Sequence, residues 1–386
     1  MKNYFKPVVS FMVLLLFVTC RQVYDPKIQA SNTNLLVVEG VLNSGQGPTV
    51  IRVSRTTDVN DTALNPETNA QLTVEGDDGN KFSLNENGNG KYSVDQLQLN
   101  SNAKYRLDIK TVDGKEYASD YSSVKNTPPI DSITWQRENG GVRIYVNAHD
   151  PQNATKYYQW KYEETWEIHS AFYGSLEYIF DVRHRAIGVK YKYPDHSIDS
   201  TIYKCWNTLN SFSILLGSTE KLTSDVVYLP VQYIEPHSEK LSVLYSINLR
   251  QYAVSHDNYL FLQKMKKNTE QLGTLFDAQP SEISGNIHCL TVPGETVIGY
   301  VEVSQEQVKR IFIANSQVPG WNLQSGCFET AIANNSDSIA KYGGGLMPVS
   351  VDSLDPLRGI TWFWASPPLC VDCTLRGVNQ KPAFWP

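Results

Sequence analysis

The stretch YYQWKYEETWEIH, residues 157–169, has the strictest two-residue period in the chain. Its large apolar side chains share one face, at Tyr158, Trp160, Tyr162, Trp166 and Ile168, and the other face carries Gln159, Lys161, Glu163, Thr165, Glu167 and His169. Because successive side chains of a strand point to opposite faces, this period predicts a β-strand with one buried and one solvated face.

Two uses are open for the aromatic face of that strand. Aromatic side chains dominate the burial energy of small sandwiches, so we expect Tyr158, Trp160, Tyr162 and Trp166 to pack in a core. The alternative is that these four rings form an exposed platform that stacks against a sugar or a peptide.

Shorter strand signals precede this stretch. The β-branched runs NLLVVEGVLN and TVIRVSRT flank the glycine-containing turn SGQGP, and further turn signals stand at Asp78-Gly79, 87–90 and Asp113-Gly114. Asp-Gly and Asn-Gly pairs supply the positive φ that tight hairpin turns require. Short strands at such regular spacing predict an immunoglobulin-like β-sandwich over residues 34–127.

A second β-rich domain is expected over residues 128–386, because Pro128 and Pro129 cannot continue a strand ladder. Within it one surface helix is predicted at 255–272, with Ser255 as N-cap and Gly273 just beyond its end. The remainder after residue 314 is rich in Gly, Ser, Asn and Pro and is expected to be a loop-rich C-terminal tail. The predicted class is therefore mainly β.

The N-terminus is typical of an exported lipoprotein. Lys2 and Lys6 precede an apolar run that is too short to span a bilayer, and Cys20 follows it. We expect a signal peptide over 1–19, cleavage and acylation at Cys20, and a tether over 20–33. A simple secretory signal with an incidental cysteine is the alternative. The formal net charge of −6 disfavours a nucleic-acid partner.

If the chain is exported as a lipoprotein, its other cysteines lie in an oxidising compartment. With Cys20 acylated, five of the six cysteines remain, and zinc or redox chemistry at Cys370 and Cys373 lacks the ligands or the helix that it needs. A structural disulfide between Cys370 and Cys373 is expected, with a bond from either of them to Cys327 as the alternative. An odd number leaves at least one thiol outside intrachain bonds.

Common enzyme motifs are absent from the sequence. It contains no zinc-protease His-Glu-x-x-His, no nucleophile elbow, no phosphate-binding loop and no dinucleotide fingerprint. Neighbouring carboxylates such as Asp77-Asp78 and Glu163-Glu164 are each local to one turn or strand. We therefore expect no catalytic residues, no metal and no cofactor.

Four segments, taken in their order along the chain, resemble the outer-membrane lipoproteins of the DUF4249 family. They are LVVEGVLN at 36–43, YLFLQKMKKNTEQLGTLFDAQPSEISGNI at 259–287, VIGYVEVS at 297–304 and CVDCTLRGVNQKPAFW at 370–385. The resemblance implies a lipid-anchored protein of the Gram-negative outer membrane, β-rich and without an established reaction. Such proteins look like companions of TonB-dependent transporters.

The resemblance leads to two expectations about function. The first is a non-enzymatic accessory or substrate-capture subunit of a TonB-dependent transporter. The second is a free-standing surface module that binds a carbohydrate or a peptide. Asp25 is the only acid in the tether, which leaves the membrane face undecided.

Overall fold

A computed structural model describes residues 34–57, 65–270 and 285–386. The expected signal peptide, Cys20, the tether and the last two residues of the predicted helix lie outside this range. Strands dominate the described residues, which confirms the mainly-β class. No helix in the described part of the chain is long and apolar enough to cross a membrane.

The strands fall into two groups along the chain. The first group comprises β1 (Leu36–Asn43), β2 (Thr49–Arg55), β3 (Asn65–Pro66), β4 (Gln71–Gly76), β5 (Lys81–Glu86), β6 (Lys91–Val94), β7 (Lys104–Lys110), β8 (Glu116–Ser119), β9 (Ser122–Ser123), β10 (Ile130–Glu138), β11 (Gly141–His149) and β12 (Tyr157–His169). The second comprises β13 (Leu176–Phe180), β14 (Ala186–Tyr191), β15 (Lys204–Asn210), β16 (Leu215–Ser218), β17 (Val226–Ile234), β18 (Leu244–Ala253), β19 (Ile287–Cys289), β20 (Val297–Gly299), β21 (Val303–Ser304), β22 (Gln307–Ala314), β23 (Thr330–Ala333), β24 (Met347–Asp355) and β25 (Gly359–Ser366). The helices are α1 (His256–Glu270), α2 (Ser336–Tyr342) and α3 (Pro368–Val371), and short 3₁₀ turns occur at Glu239–Leu241, Asn315–Gln317 and Cys373–Leu375.

The N-terminal sheet follows the order β19-β8-β7-β4-β5-β6-β2-β1-β20 and surrounds one apolar core. Three of its strands come from far along the chain: β20 and β21 pair in parallel with β1, and β19 pairs with β8. Ile287, Val297 and Val303 are buried in the same core as Leu36 and Ile51. The sequence pattern placed these three strands in the second domain, 128–386. In the structure they belong to the N-terminal sheet.

The second region packs two sheets face to face around another core. One sheet has the order β10-β11-β17 and the other β15-β12-β18-β22, with β16 also paired to β12. β12 is therefore a central strand. Gln159, Thr165 and Glu167 lie on the face that was expected to be wet, but all three are buried.

The predicted surface helix is confirmed as α1. The hydroxyl of Ser255 accepts a hydrogen bond from the backbone N–H of Asn258 at 3.1 Å, which is the expected N-cap. Only Asn258 and Phe261 are fully buried, so α1 lies on the surface of the body.

The expectation of one helix and a loop-rich tail was wrong for residues 330–371. β23, β25 and β24 form a sheet that packs with the β13–β14 hairpin and α2 around Ile332, Ile339 and Phe363. Asn335 caps α2 through a hydrogen bond from the Ser338 N–H. Register shifts in the β24–β25 pairing interrupt the two-residue period, which explains why the sequence pattern did not predict these strands.

The disulfides are Cys205–Cys373 and Cys327–Cys370, whereas Cys289 is free and buried. The expected bond between Cys370 and Cys373 was wrong, and the alternative bond to Cys327 is present. Cys370 lies in α3, and the extended backbone of Asp372, with φ −116° and ψ 103°, ends that helix before Cys373. The two thiols therefore reach different parts of the fold and together tie the C-terminal segment to the body.

Candidate functional site

A cleft lies between the N-terminal sheet and the β12–β18 sheet. It consists of two cavities of about 290 and 540 Å³, which share Glu39, Gly40, Val41, Lys161 and Ser211 in their linings. Small-molecule sites commonly have volumes of roughly 300–1,000 Å³ and occur between domains. The cleft is therefore the candidate site in the described part of the chain.

The smaller cavity has an apolar wall. α1 contributes Phe261, Leu262 and Met265, and the loop between β15 and β16 contributes Phe212 and Ile214. The side chain of Phe212 is 94% exposed, although it borders the cavity. This end of the cleft can cover an apolar group.

The larger cavity is lined by charged side chains from both sheets. On the N-terminal sheet, Arg52 lies directly across from Lys91 on one side and from Glu39 on the other. On the facing sheet, Lys161 lies directly across from Arg250. Like charges at directly opposed positions of antiparallel strands destabilise the pairing. Each wall of the cleft thus carries one unfavourable pair of cations.

Lys161 is one of three cations in the cleft, with Arg52 and Lys91, that have no direct partner among the described residues. Its ammonium makes no direct hydrogen bond or ion pair with any described residue, although the side chain keeps exposed surface inside the cleft. Desolvation by the surrounding walls lowers the pKa of Lys161; attraction from Glu39 opposes this effect, and repulsion from Arg250 adds to it.

Two of the three carboxylates in the cleft already have partners. Glu163 accepts a hydrogen bond from Arg310 at 3.2 Å. Glu306 accepts one from the hydroxyl of Tyr252 and lies 3.8 Å from the Arg250 guanidinium. Burial raises the pKa of Tyr252 well above its ordinary value, so its hydroxyl stays a donor. Three cations without a direct partner, Arg52, Lys91 and Lys161, therefore face one carboxylate, Glu39, that also has none among the described residues.

The aromatic residues that the sequence singled out lie elsewhere. Tyr158, Trp160, Tyr162 and Trp166 are 0%, 1%, 6% and 6% exposed in the core between the two sheets of the second region. Trp160 borders the smaller cavity but donates its indole N–H to Gln251 at 2.8 Å inside the protein. Core packing is confirmed, and the platform alternative is wrong because none of these four rings presents a face to solvent.

The remaining sequence-predicted residues do not enter the cleft. Cys370 and Cys373 are in disulfides, and Cys20 lies outside the described residues. No group of three His, Cys, Asp or Glu side chains in the described ranges is arranged to hold a metal ion. The cleft residues Arg52, Lys91 and Arg250 were not singled out from the sequence. The only available signal was Lys161, a cation on the polar face of the most regular strand.

The family model described as Domain of unknown function (DUF4249) matches residues 21–310. None of the curated proteins matches the chain. Among solved structures, a Salmonella alpha-2-macroglobulin mutant is 12% identical over 78% of this chain and 16% of its own, with a TM-score of 0.18. The B domain of a biofilm associated protein is 8% identical over 74% of this chain and 87% of its own, with a TM-score of 0.15. These TM-scores are too low to inform the fold or the function.

Proposed function

This chain belongs to the DUF4249 family, and on that premise we propose that it is a non-enzymatic outer-membrane lipoprotein that captures a ligand for a TonB-dependent transporter. In this role it is an accessory subunit that binds a substrate and passes it on unchanged. The cleft between the two sheets is the observation that carries the proposal.

The lining of the cleft is suited to binding. Apart from Glu306, its charged side chains stand on β1, β2, β6, β12 and β18, and side chains on paired strands hold their positions more precisely than those on loops. The opposed cations repel one another, and two of the carboxylates are held by neighbouring donors. Binding of a complementary ligand would relieve that repulsion without any chemical step.

Attachment to the membrane rests on the sequence around Cys20. Each acyl chain contributes about 0.8 kcal/mol per buried methylene, so two or three chains hold a folded body at a membrane without a spanning helix. The transporter as partner rests on the resemblance described above. The second expectation, a free-standing carbohydrate or peptide module, loses the face proposed for it because Trp160 and Trp166 are buried.

The proposal is tested by capture from native membranes. Outer membranes are solubilised in a mild detergent, the protein is captured through a tag placed after Pro386, and co-purified proteins are identified by mass spectrometry. Pro386 is exposed, so the tag leaves the fold intact. We expect a TonB-dependent transporter in stoichiometric amount, whereas a lipoprotein recovered alone would contradict the accessory role. A Cys20→Ala variant, which we expect to be absent from the membrane fraction, tests the anchor.

A further inference from the structure

We propose that the cleft binds a small organic anion whose carboxylate or phosphate group contacts Lys161 and Arg250, and whose apolar part lies against α1. The inference rests on the proposed function and names the class of ligand that would be captured.

One wall of the cleft carries a pair of cations on β12 and β18. Lys161 and Arg250 are directly opposed in the register of the two strands, and Lys161 has no direct partner among the described residues. A buried or partly desolvated charge is unfavourable unless an opposite charge accompanies it. An oxyanion placed between the two side chains would accept hydrogen bonds from both and remove their mutual repulsion.

The facing wall of the cleft also carries cations. Arg52 and Lys91 form another opposed pair of cations on the N-terminal sheet, across the same cavity. The chain as a whole carries a formal net charge of −6, so this cluster of cations is a local reversal of the overall sign. Four cations and three carboxylates line the larger cavity, and two of the carboxylates already have donors, so its lining carries an excess of positive charge that favours an anionic ligand. A cationic ligand would be repelled by the unpaired cations Arg52, Lys91 and Lys161.

The other end of the cleft, the smaller cavity, is apolar. Leu262 and Met265 are half-buried on α1, and Phe212 extends from the neighbouring loop with 94% of its surface exposed. The two cavities, of about 290 and 540 Å³, have room for a small molecule. An anion with an apolar part can fill both ends, because the shared lining residues connect them.

The test uses the full-length protein in a non-ionic detergent and isothermal titration calorimetry. Phenyl phosphate and benzoate are the two anionic probes, and phenyl glucoside is an uncharged probe of similar shape. We expect at least one anion to bind, more weakly as NaCl increases, and phenyl glucoside not to bind. Lys161→Gln and Arg250→Gln should each weaken anion binding by about tenfold or more, since hydrogen bonds to charged groups contribute about that factor.

Lys264→Gln is the matched control, because Lys264 is an exposed lysine on α1 that does not line the cleft. It should bind like the wild type. Lys161→Gln removes a repulsive pair, so we expect a melting temperature no lower than that of the wild type. A folded Lys161→Gln protein that binds the anions unchanged would overturn the proposal, as would a wild-type protein that binds neither anion.

A competition experiment distinguishes a lipid headgroup from a free solute as the source of the anion. Phosphatidylglycerol added to the micelles should displace phenyl phosphate if the natural ligand is a lipid headgroup, and should leave it bound if the ligand is a free solute. Either result supports an anion site and identifies its source. Failure of the capture experiment would remove the transporter partner yet leave this binding measurable, so the two proposals fail separately.

Discussion

Loss of the Cys205–Cys373 disulfide should destabilise the protein more than loss of the Cys327–Cys370 disulfide or replacement of Cys289. The bond joins residues separated by 168 positions, and Cys327–Cys370 joins residues separated by 43. In the chain-entropy model, loops of these lengths correspond to about 5 and about 4 kcal/mol at 25 °C. We therefore expect Cys205→Ala with Cys373→Ala to lower the free energy of unfolding by about 5 kcal/mol, and the other double variant by about 4 kcal/mol.

The C-terminal segment should report the loss directly. Trp206 follows Cys205 and exchanges two backbone hydrogen bonds with Val378, of 2.9 and 2.8 Å, while Trp385 donates its indole N–H to Glu167 at 3.0 Å. Guanidinium unfolding followed by tryptophan fluorescence measures the free energy, and limited proteolysis detects release of the tail.

The free and buried Cys289 supplies the control, since Cys289→Ala removes a buried sulfur without breaking a disulfide. A Cys205→Ala/Cys373→Ala protein that loses no more stability than Cys289→Ala would refute the reasoning.

Two further predictions concern the N-terminal sheet and the C-terminal tail. A Cβ at Gly299 would lie 2.4 Å from the carbonyl oxygen of Val38, so Gly299→Ala should cost about 1–3 kcal/mol by forcing β20 away from β1, whereas Gly344→Ala, with open space around it, should be neutral in the same thermal melts. Burial raises the pKa of Glu167, but hydrogen bonds from Lys204, Trp385 and His169 outweigh it and hold the pKa below the ordinary 4.5. The resulting stability is present above pH 4.5 and is lost as the pH falls through the folded-state value, so unfolding free energies of the wild type and Glu167→Gln should converge in acid; parallel curves would contradict this prediction.

The sequence pattern predicted local structure correctly where the alternation of side chains alone decides which residues are buried. The alternation at 157–169 predicted both the strand and its buried aromatic face, and Ser255 predicted the start of α1. The same pattern failed for Glu167, which is buried because Lys204 and Trp385 come to it from distant positions. Glu164 shares the aromatic face and is satisfied there by Lys240, Tyr245 and Gln232, a set of partners that no local period reveals.

The cleft could not be predicted from the sequence for the same reason. Lys161 and Arg250 become opposed only through the register of β12 with β18, and Arg52 faces them only because the two sheets line the same cleft. The parallel pairing of β20 with β1 joins segments that are distant in the sequence and depends on the close approach that Gly299 permits. Such juxtapositions are properties of the tertiary structure.

The reactivity of Lys161 tests the cleft most directly. Reductive methylation of the native protein, with each lysine quantified by peptide mass spectrometry, compares Lys161 with Lys264 in the presence and absence of phenyl phosphate. Because the pKa of Lys161 is lowered, we expect it to react faster than Lys264 at neutral pH and to be protected by the anion while Lys264 is not. Equal rates at the two lysines, with no protection of Lys161, would contradict a binding site in the cleft.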